Sequence, residues 1–104
     1  MDVYAVLADP TRRRIIELLS DRVRTAGEIA DRFPTSRPAV SRHLRVLRES
    51  GVITSVRDAQ HRVYTLNPGA LDDVAAWIAR YQPFWDERLE ALAARSEALE
   101  KEHA

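Results

Sequence analysis

The stretch SRPAVSRHLRVLRESGV, residues 36–52, reads as one amphipathic helix with its own start and stop signals. Ser36 stands where the free N–H groups of a first turn want a side-chain oxygen, and Gly51 where a left-handed residue ends a helix. At about 100° per residue, Val40, Leu44 and Leu47 share one face, which must be the buried one. Pro38, Ser41, Arg42, Arg45 and Glu49 lie opposite, and His43 falls beside the buried stripe. Arg42, Arg45 and Arg48 thus form a ladder along a helix of a small protein. Solubility alone would explain such a ladder on an isolated surface helix, so the surrounding chain has to decide.

Upstream, Val3, Tyr4 and Leu7 make a short apolar stripe of one or two helical turns. Asp9-Pro10 predicts a helix start, with Asp9 as cap and Pro10 at the first position, where a missing N–H costs nothing. Ile15, Ile16, Leu18 and Leu19 form its core face, and the helix is expected to end near Ser20. Thr25 with Glu28 three residues on predicts a capping box, opening a helix that buries Ile29, Ala30 and Phe33 and stops at Pro34. Downstream of Gly51 the period changes. VITSVR and RVYTLN are β-branched and alternating, separated by Asp58-Ala59-Gln60-His61, and predict a two-stranded hairpin. Asn67-Pro68-Gly69 is a turn, and from Ala70 the pattern is helical almost to the end. Two helices joined by Phe33-Pro34-Thr35 and followed by a hairpin match a winged helix-turn-helix: mainly α, with a two-stranded β-wing and a long C-terminal helix kinked or split near Pro83.

Composition bounds what such a fold does. The 104 residues suit one domain, and 45% apolar with 31% charged residues argues against general disorder. There is no cysteine, which excludes disulfides, thiolate metal sites and a cysteine nucleophile and agrees with a reducing cytoplasm. No apolar run approaches a membrane span, and MDVYAVLADP lacks the basic segment and cleavage site of a signal peptide. The formal net charge of zero conceals a division. Residues 1–34 hold six arginines and six acids. Residues 35–65 hold six arginines against Glu49 and Asp58, a net +4, and residues 66–104 hold four bases against eight acids, a net −4. A basic middle in a neutral whole points to a polyanion at one face.

On the second helix of a helix-turn-helix, an outward row of Ser and Arg is what major-groove reading requires: arginine for guanine or phosphate, serine for phosphate or a base edge. The expected contacts to double-stranded DNA are Ser36, Arg37, Pro38, Ser41, Arg42, Arg45 and Arg48, joined by Arg57, His61 and Arg62 of the wing. Catalysis finds no support. Ser41 and His43 are two apart on a helix and point in different directions, no glycine loop cradles a phosphate, and Asp72-Asp73 opens a helix whose dipole acids complement. No cofactor is expected. Along the last helix Leu71, Ile78, Trp85, Leu92 and Leu99 repeat every seven residues, broadened by Val74, Tyr81 and Leu89. The first half of that stripe is expected to pack on the parent domain and the second half to meet a partner subunit.

LADPTRRRIIELL, GEIADRF, SRPAVSRHLRVLRESGVI and HRVYTL together resemble the ArsR/SmtB-type bacterial repressors over nearly the whole chain, and YQPFWDERLEAL resembles a branch without the cysteine metal site. The resemblance implies a homodimer held by the first and last helices that represses transcription from a palindromic operator. The DNA-reading helix would then be Ser36–Ser50 and the wing Val52–Asn67. The single domain 1–104 would comprise a dimerisation helix at 1–8, the helix-turn-helix at 25–50, the wing at 52–67 and a second dimerisation helix at 70–101. Its expected interface is Val3, Tyr4, Leu7, Ile78, Tyr81, Trp85, Leu89 and Leu92. Three departures stand out. GEIADRF occupies the place of the family's cysteine pair, the only C-terminal histidine is His103, and the wing lacks a tip glycine. No metal site is expected, and the weak candidates are His103 and Glu102 with Glu100 and residues of the other subunit. A metal-responsive repressor with such a non-cysteine site, or a winged-helix protein-interaction module, are the alternatives.

Overall fold

A computed structural model of the chain describes residues 1–103, with Glu102 and His103 in backbone only. The chain forms two compact units, Met1–Leu71 and a second beginning at Asp72.

In the first unit, Asp2 caps α1 (Val3–Leu7), accepting from the Ala5 N–H at 2.9 Å. Asp9 caps α2 (Pro10–Asp21), one Oδ accepting from the N–H groups of Thr11 at 2.8 Å and Arg12 at 3.1 Å. The predicted capping box is closed in both directions. Thr25 Oγ1 accepts from the Glu28 N–H and a Glu28 carboxylate oxygen from the Thr25 N–H, each at 3.2 Å. The helix it opens, α3 (Ala26–Ala30), is shorter than expected. Asp31 closes it, and Phe33 packs half-buried against the core from the connecting segment. Ser36 Oγ then accepts from Ala39 N–H at the start of α4 (Arg37–Glu49).

The end of α4 shows what Gly51 is for. Its N–H reaches the Arg48 carbonyl at 3.1 Å and the Val52 N–H reaches Leu47 at 3.0 Å, the paired bonds of a Schellman motif, with Gly51 at φ 81°. A side chain would be strained there. The chain leaves directly into β2 (Ile53–Asp58), which pairs antiparallel with β3 (His61–Leu66) from Ile53↔Leu66 to Asp58↔His61. The hairpin turn is therefore two residues, Ala59-Gln60, tighter than the four-residue separation expected. Ala59 takes φ 54°, the left-handed conformation that a tip glycine would adopt without strain.

The sheet has three strands, not two. A short β1 (Arg24–Thr25) pairs antiparallel with the outer edge of β3, giving the order β1-β3-β2. Two residues ahead of a capping box carry no alternation to read, so this strand had no periodic signature. Ile15, Ile29, Leu47, Ile53, Val6, Val40 and Val52 are the fully buried side chains, drawn from α1, α2, α3, α4, β2 and the residue preceding β2. Each stabilises the unit by about 1.5–3 kcal/mol relative to exposure.

The second unit is α5 (Asp72–His103), with Asp72 and Asp73 in its first turn. Of the kink or split expected at Pro83, the split is not found, since α5 runs through that residue as one helix. Proline removes one donor, to the carbonyl four residues back, and the flanking turns supply the rest. Gln82 Nε2 donating to Asp86 Oδ1 at 2.9 Å spans the turn that follows. Among the described residues no helix is long and apolar enough to cross a membrane.

Candidate nucleic-acid interface

The basic middle of the chain becomes a surface through one division of labour among arginines. In the first third all but Arg32 are occupied. Arg12 donates through Nε to the Val6 carbonyl at 2.9 Å and through Nη2 to Ala5 at 3.1 Å, and Arg13 donates to Leu7 at 2.7 Å. These carbonyls lie at the end of α1, which cations suit, and that of Ala5 also accepts from the Ala8 N–H at 3.2 Å. Arg14 pairs with Glu17 and Arg22 with Glu28. Arg24 is buried, its Nε donating to the Leu18 carbonyl at 3.1 Å and its Nη2 to Asp21 at 3.3 Å. Arg24 ties the end of α2 to β1, a role with no sequence signal, because a single arginine in a two-residue strand looks like any surface cation.

On α4 the arrangement reverses. Val40, Leu44 and Leu47 are buried and His43 is half-buried, while Ser41, Arg42, Arg45 and Arg48 are exposed. Ser36, Arg37 and Pro38, at the N-terminal end, are exposed as well. The guanidinium groups of Arg42, Arg45 and Arg48 make no hydrogen bond or ion pair among the described residues, and that of Arg37 has only Asp31 at 3.6 Å. Arg32, exposed in the segment between α3 and α4, also lacks such a partner among the described residues. Sequence reading passed over it as part of the neutral first third, although its adjacency to the Phe33-Pro34-Thr35 turn was a usable sign.

Strand register sorts the wing. Residues paired across an antiparallel ladder share a face, and successive pairs alternate. Arg57↔Arg62 therefore shares its face with Ser55↔Tyr64 and Ile53↔Leu66, the core side, and projects from it near the tip. Two arginines directly opposite repel, and Ser55 Oγ accepts from Arg62 Nη1 at 3.2 Å beside them. His61 pairs with Asp58 on the other face, with Val56↔Val63, so the register separates it from the two arginines.

Two carboxyls are shifted. Burial alone would raise Asp9, but the Arg12 N–H, the charge of His43, the Thr11 N–H and the Arg12 guanidinium together hold it below its usual range. That influence links the cap of α2 to the half-buried histidine on α4. The Thr25 N–H, then the Arg22 guanidinium, hold Glu28 below its usual range.

The residues expected to join subunits divide in two. Val3 and Leu7 are half-buried against the core of their own unit, whereas Tyr4 is exposed. On α5 Ile78, Tyr81, Trp85, Leu89 and Leu92 are all exposed, Leu92 to 62%. Among the described residues no group of three or more histidines and carboxylates could hold a metal, and the side chains of His103 and Glu102 lie outside the described residues.

A family model described as a helix-turn-helix domain matches residues 7–56. The chain is 39% identical over 80 residues to the transcriptional repressor SdpR of Bacillus subtilis, covering 77% of this chain and 89% of that protein. It is 31% identical over 72 residues to the arsenical resistance operon repressor of Staphylococcus aureus, 69% of each being covered. A crystal structure of an ArsR family transcriptional regulator superposes with a TM-score of 0.72 at 31% identity, over 80% of this chain and 91% of that one.

Proposed function

This chain belongs to the ArsR/SmtB-type winged helix-turn-helix repressors and is a DNA-binding transcriptional regulator, not an enzyme; from that premise we propose that it acts as a homodimer on a palindromic operator in the bacterial cytoplasm. In this proposal α4 enters the major groove. Ser41, Arg42 and Arg45 face the base edges, with Ser36, Arg37, Pro38 and Arg48 at the flanking phosphates. Arg57 and Arg62 anchor the wing to phosphate or the minor groove, and His61 adds a contact from the ribbon's other face.

The observation that carries the reading is the set of exposed arginines on α4 without acidic partners, in a chain that engages most of its other arginines internally. A solvated face would gain from interspersed acids. A groove-binding face gains from leaving its arginines unpaired, because each unneutralised guanidinium releases a counterion on meeting a phosphate. The dimer rests on α5, whose apolar stripe at Ile78, Tyr81, Trp85, Leu89 and Leu92 is exposed in the single chain. Tyr4, with Val3 and Leu7 behind it, is assigned to the same interface. A two-fold pair presents two reading helices to half-sites about 34–36 Å apart.

The test is selection of bound duplexes from a random pool, followed by affinity measurement across salt concentrations. Recovery of a two-fold symmetric sequence, bound with a strong inverse salt dependence, is expected. Enrichment of no sequence, or of an asymmetric single half-site, would refute the operator assignment.

A further inference from the structure

We infer that Asp31 is an internal competitor of DNA phosphate for Arg37, setting operator affinity and its salt dependence from the helix-turn-helix turn; the inference rests on the DNA-binding reading above. Asp31 closes α3, and Arg37 is the first residue of α4. Their charged groups meet at 3.6 Å across the connecting segment, with the side chains 74% and 73% exposed. A pair so open to water contributes little to folding. Nor does Asp31 cap a helix N-terminus, because its place is at the C-terminal end of α3, where a carboxylate opposes the dipole.

The position matters more than the strength. The N-terminal residues of the second helix are the ones that approach base edges and phosphates. Arg42, Arg45 and Arg48 meet an incoming polyanion unpaired, but Arg37 arrives already neutralised. For Arg37 to bind phosphate it must leave Asp31, and that carboxylate is then stranded beside the DNA backbone. Both consequences weaken binding to every sequence alike. The chain thus holds one of its groove-facing cations in reserve, which restrains nonspecific binding, where the phosphate contribution dominates.

The experiment is a double-mutant cycle on the full chain. The probe is a duplex of about 30 base pairs recovered by selection, long enough for two half-sites one turn apart, alongside a scrambled duplex of equal length. Asp31→Asn should tighten binding to both by about two- to five-fold, the range expected of an exposed pair. The slope of log affinity against log salt should steepen by about 0.9. In an Arg37→Gln background both effects should vanish, while in an Arg32→Gln background they should persist. An equal gain in the Arg37→Gln background would mean that Asp31 acts only as a distant charge, and weaker binding by Asp31→Asn would make it a DNA or structural contact. Either overturns the inference. Wild-type chain that binds neither duplex in a salt-dependent way would instead bring down the DNA-binding reading on which this one stands. Circular dichroism melting of Asp31→Asn should match wild type, and a lowered midpoint with weakened binding would likewise count against it.

Discussion

Asp9 shows how one side chain serves both a helix cap and an electrostatic link to a second helix. Its carboxylate caps α2 twice and feels the charge of His43 on α4, so its folded pKa lies below the ordinary value of about 3.9. A depressed carboxylate favours the folded state when ionised. Its contribution is complete above the unfolded value and disappears as pH falls through the folded one. Denaturant unfolding from pH ~5 downward should therefore lose stability more steeply in wild type than in Asp9→Asn, which keeps a capping oxygen without the charge. Identical pH profiles would contradict the coupling. Ala59 makes the opposite kind of prediction. At φ 54° it occupies a conformation that costs an L-residue about 1–2 kcal/mol, offset in part by the entropy a glycine loses. Ala59→Gly should stabilise the chain by up to ~1 kcal/mol in the same assay. The missing wing glycine was legible in the sequence, but its consequence was not, because φ at the tip depends on a two-residue turn that only strand register defines. Asp9, Thr25, Ser36 and Gly51 were legible because capping is local chemistry. Arg24 was not, since its partners, a carbonyl at Leu18 and a carboxylate at Asp21, come from the turn of chain that burial created.

At the scale of elements, α4 could be read in advance because a single helix must separate its apolar and charged faces, and Val40, Leu44 and Leu47 leave one solution. The wing was harder. Composition located both strands, yet the third strand and the face assignment follow from pairing, which no single stretch encodes. That register makes the wing prediction specific. Arg57 and Arg62 stand opposite each other with no carboxylate paired to either among the described residues, so removing both should lower affinity for all sequences similarly. Arg57→Gln/Arg62→Gln should flatten the slope of log affinity against log salt by about two, near one per lost phosphate contact. Relief of the like-charge pair should leave folding intact or slightly stronger. An unchanged slope would remove the wing from the DNA. Pro83 teaches a related lesson. Proline opposes a helix interior, but one missing hydrogen bond does not end a helix of this length, and α5 continues past it.

At the scale of the whole molecule, the proposed homodimer would use the exposed apolar stripe on α5 to bring two copies of the basic α4 surface to one operator. Leu92 lies in the seven-residue repeat with Ile78 and Trp85 and is exposed in the single chain, so a charge there should stay solvated in a monomer but be unpaired and costly in a dimer. Leu92→Glu should thus sediment as a folded monomer whose operator affinity collapses, because one half-site supplies few contacts. A variant that remains dimeric and binds normally would place the interface elsewhere. The central claim is that α4 reads DNA through its exposed arginines. Its most direct test is competition binding of wild type, Arg42→Ala and Arg45→Ala against the selected operator and a panel of its single-base variants. Each substitution should cost about 1–3 kcal/mol, and at least one should erase the preference at a single base pair while leaving the others intact. Wild-type affinity and selectivity in both variants would take this helix out of the groove.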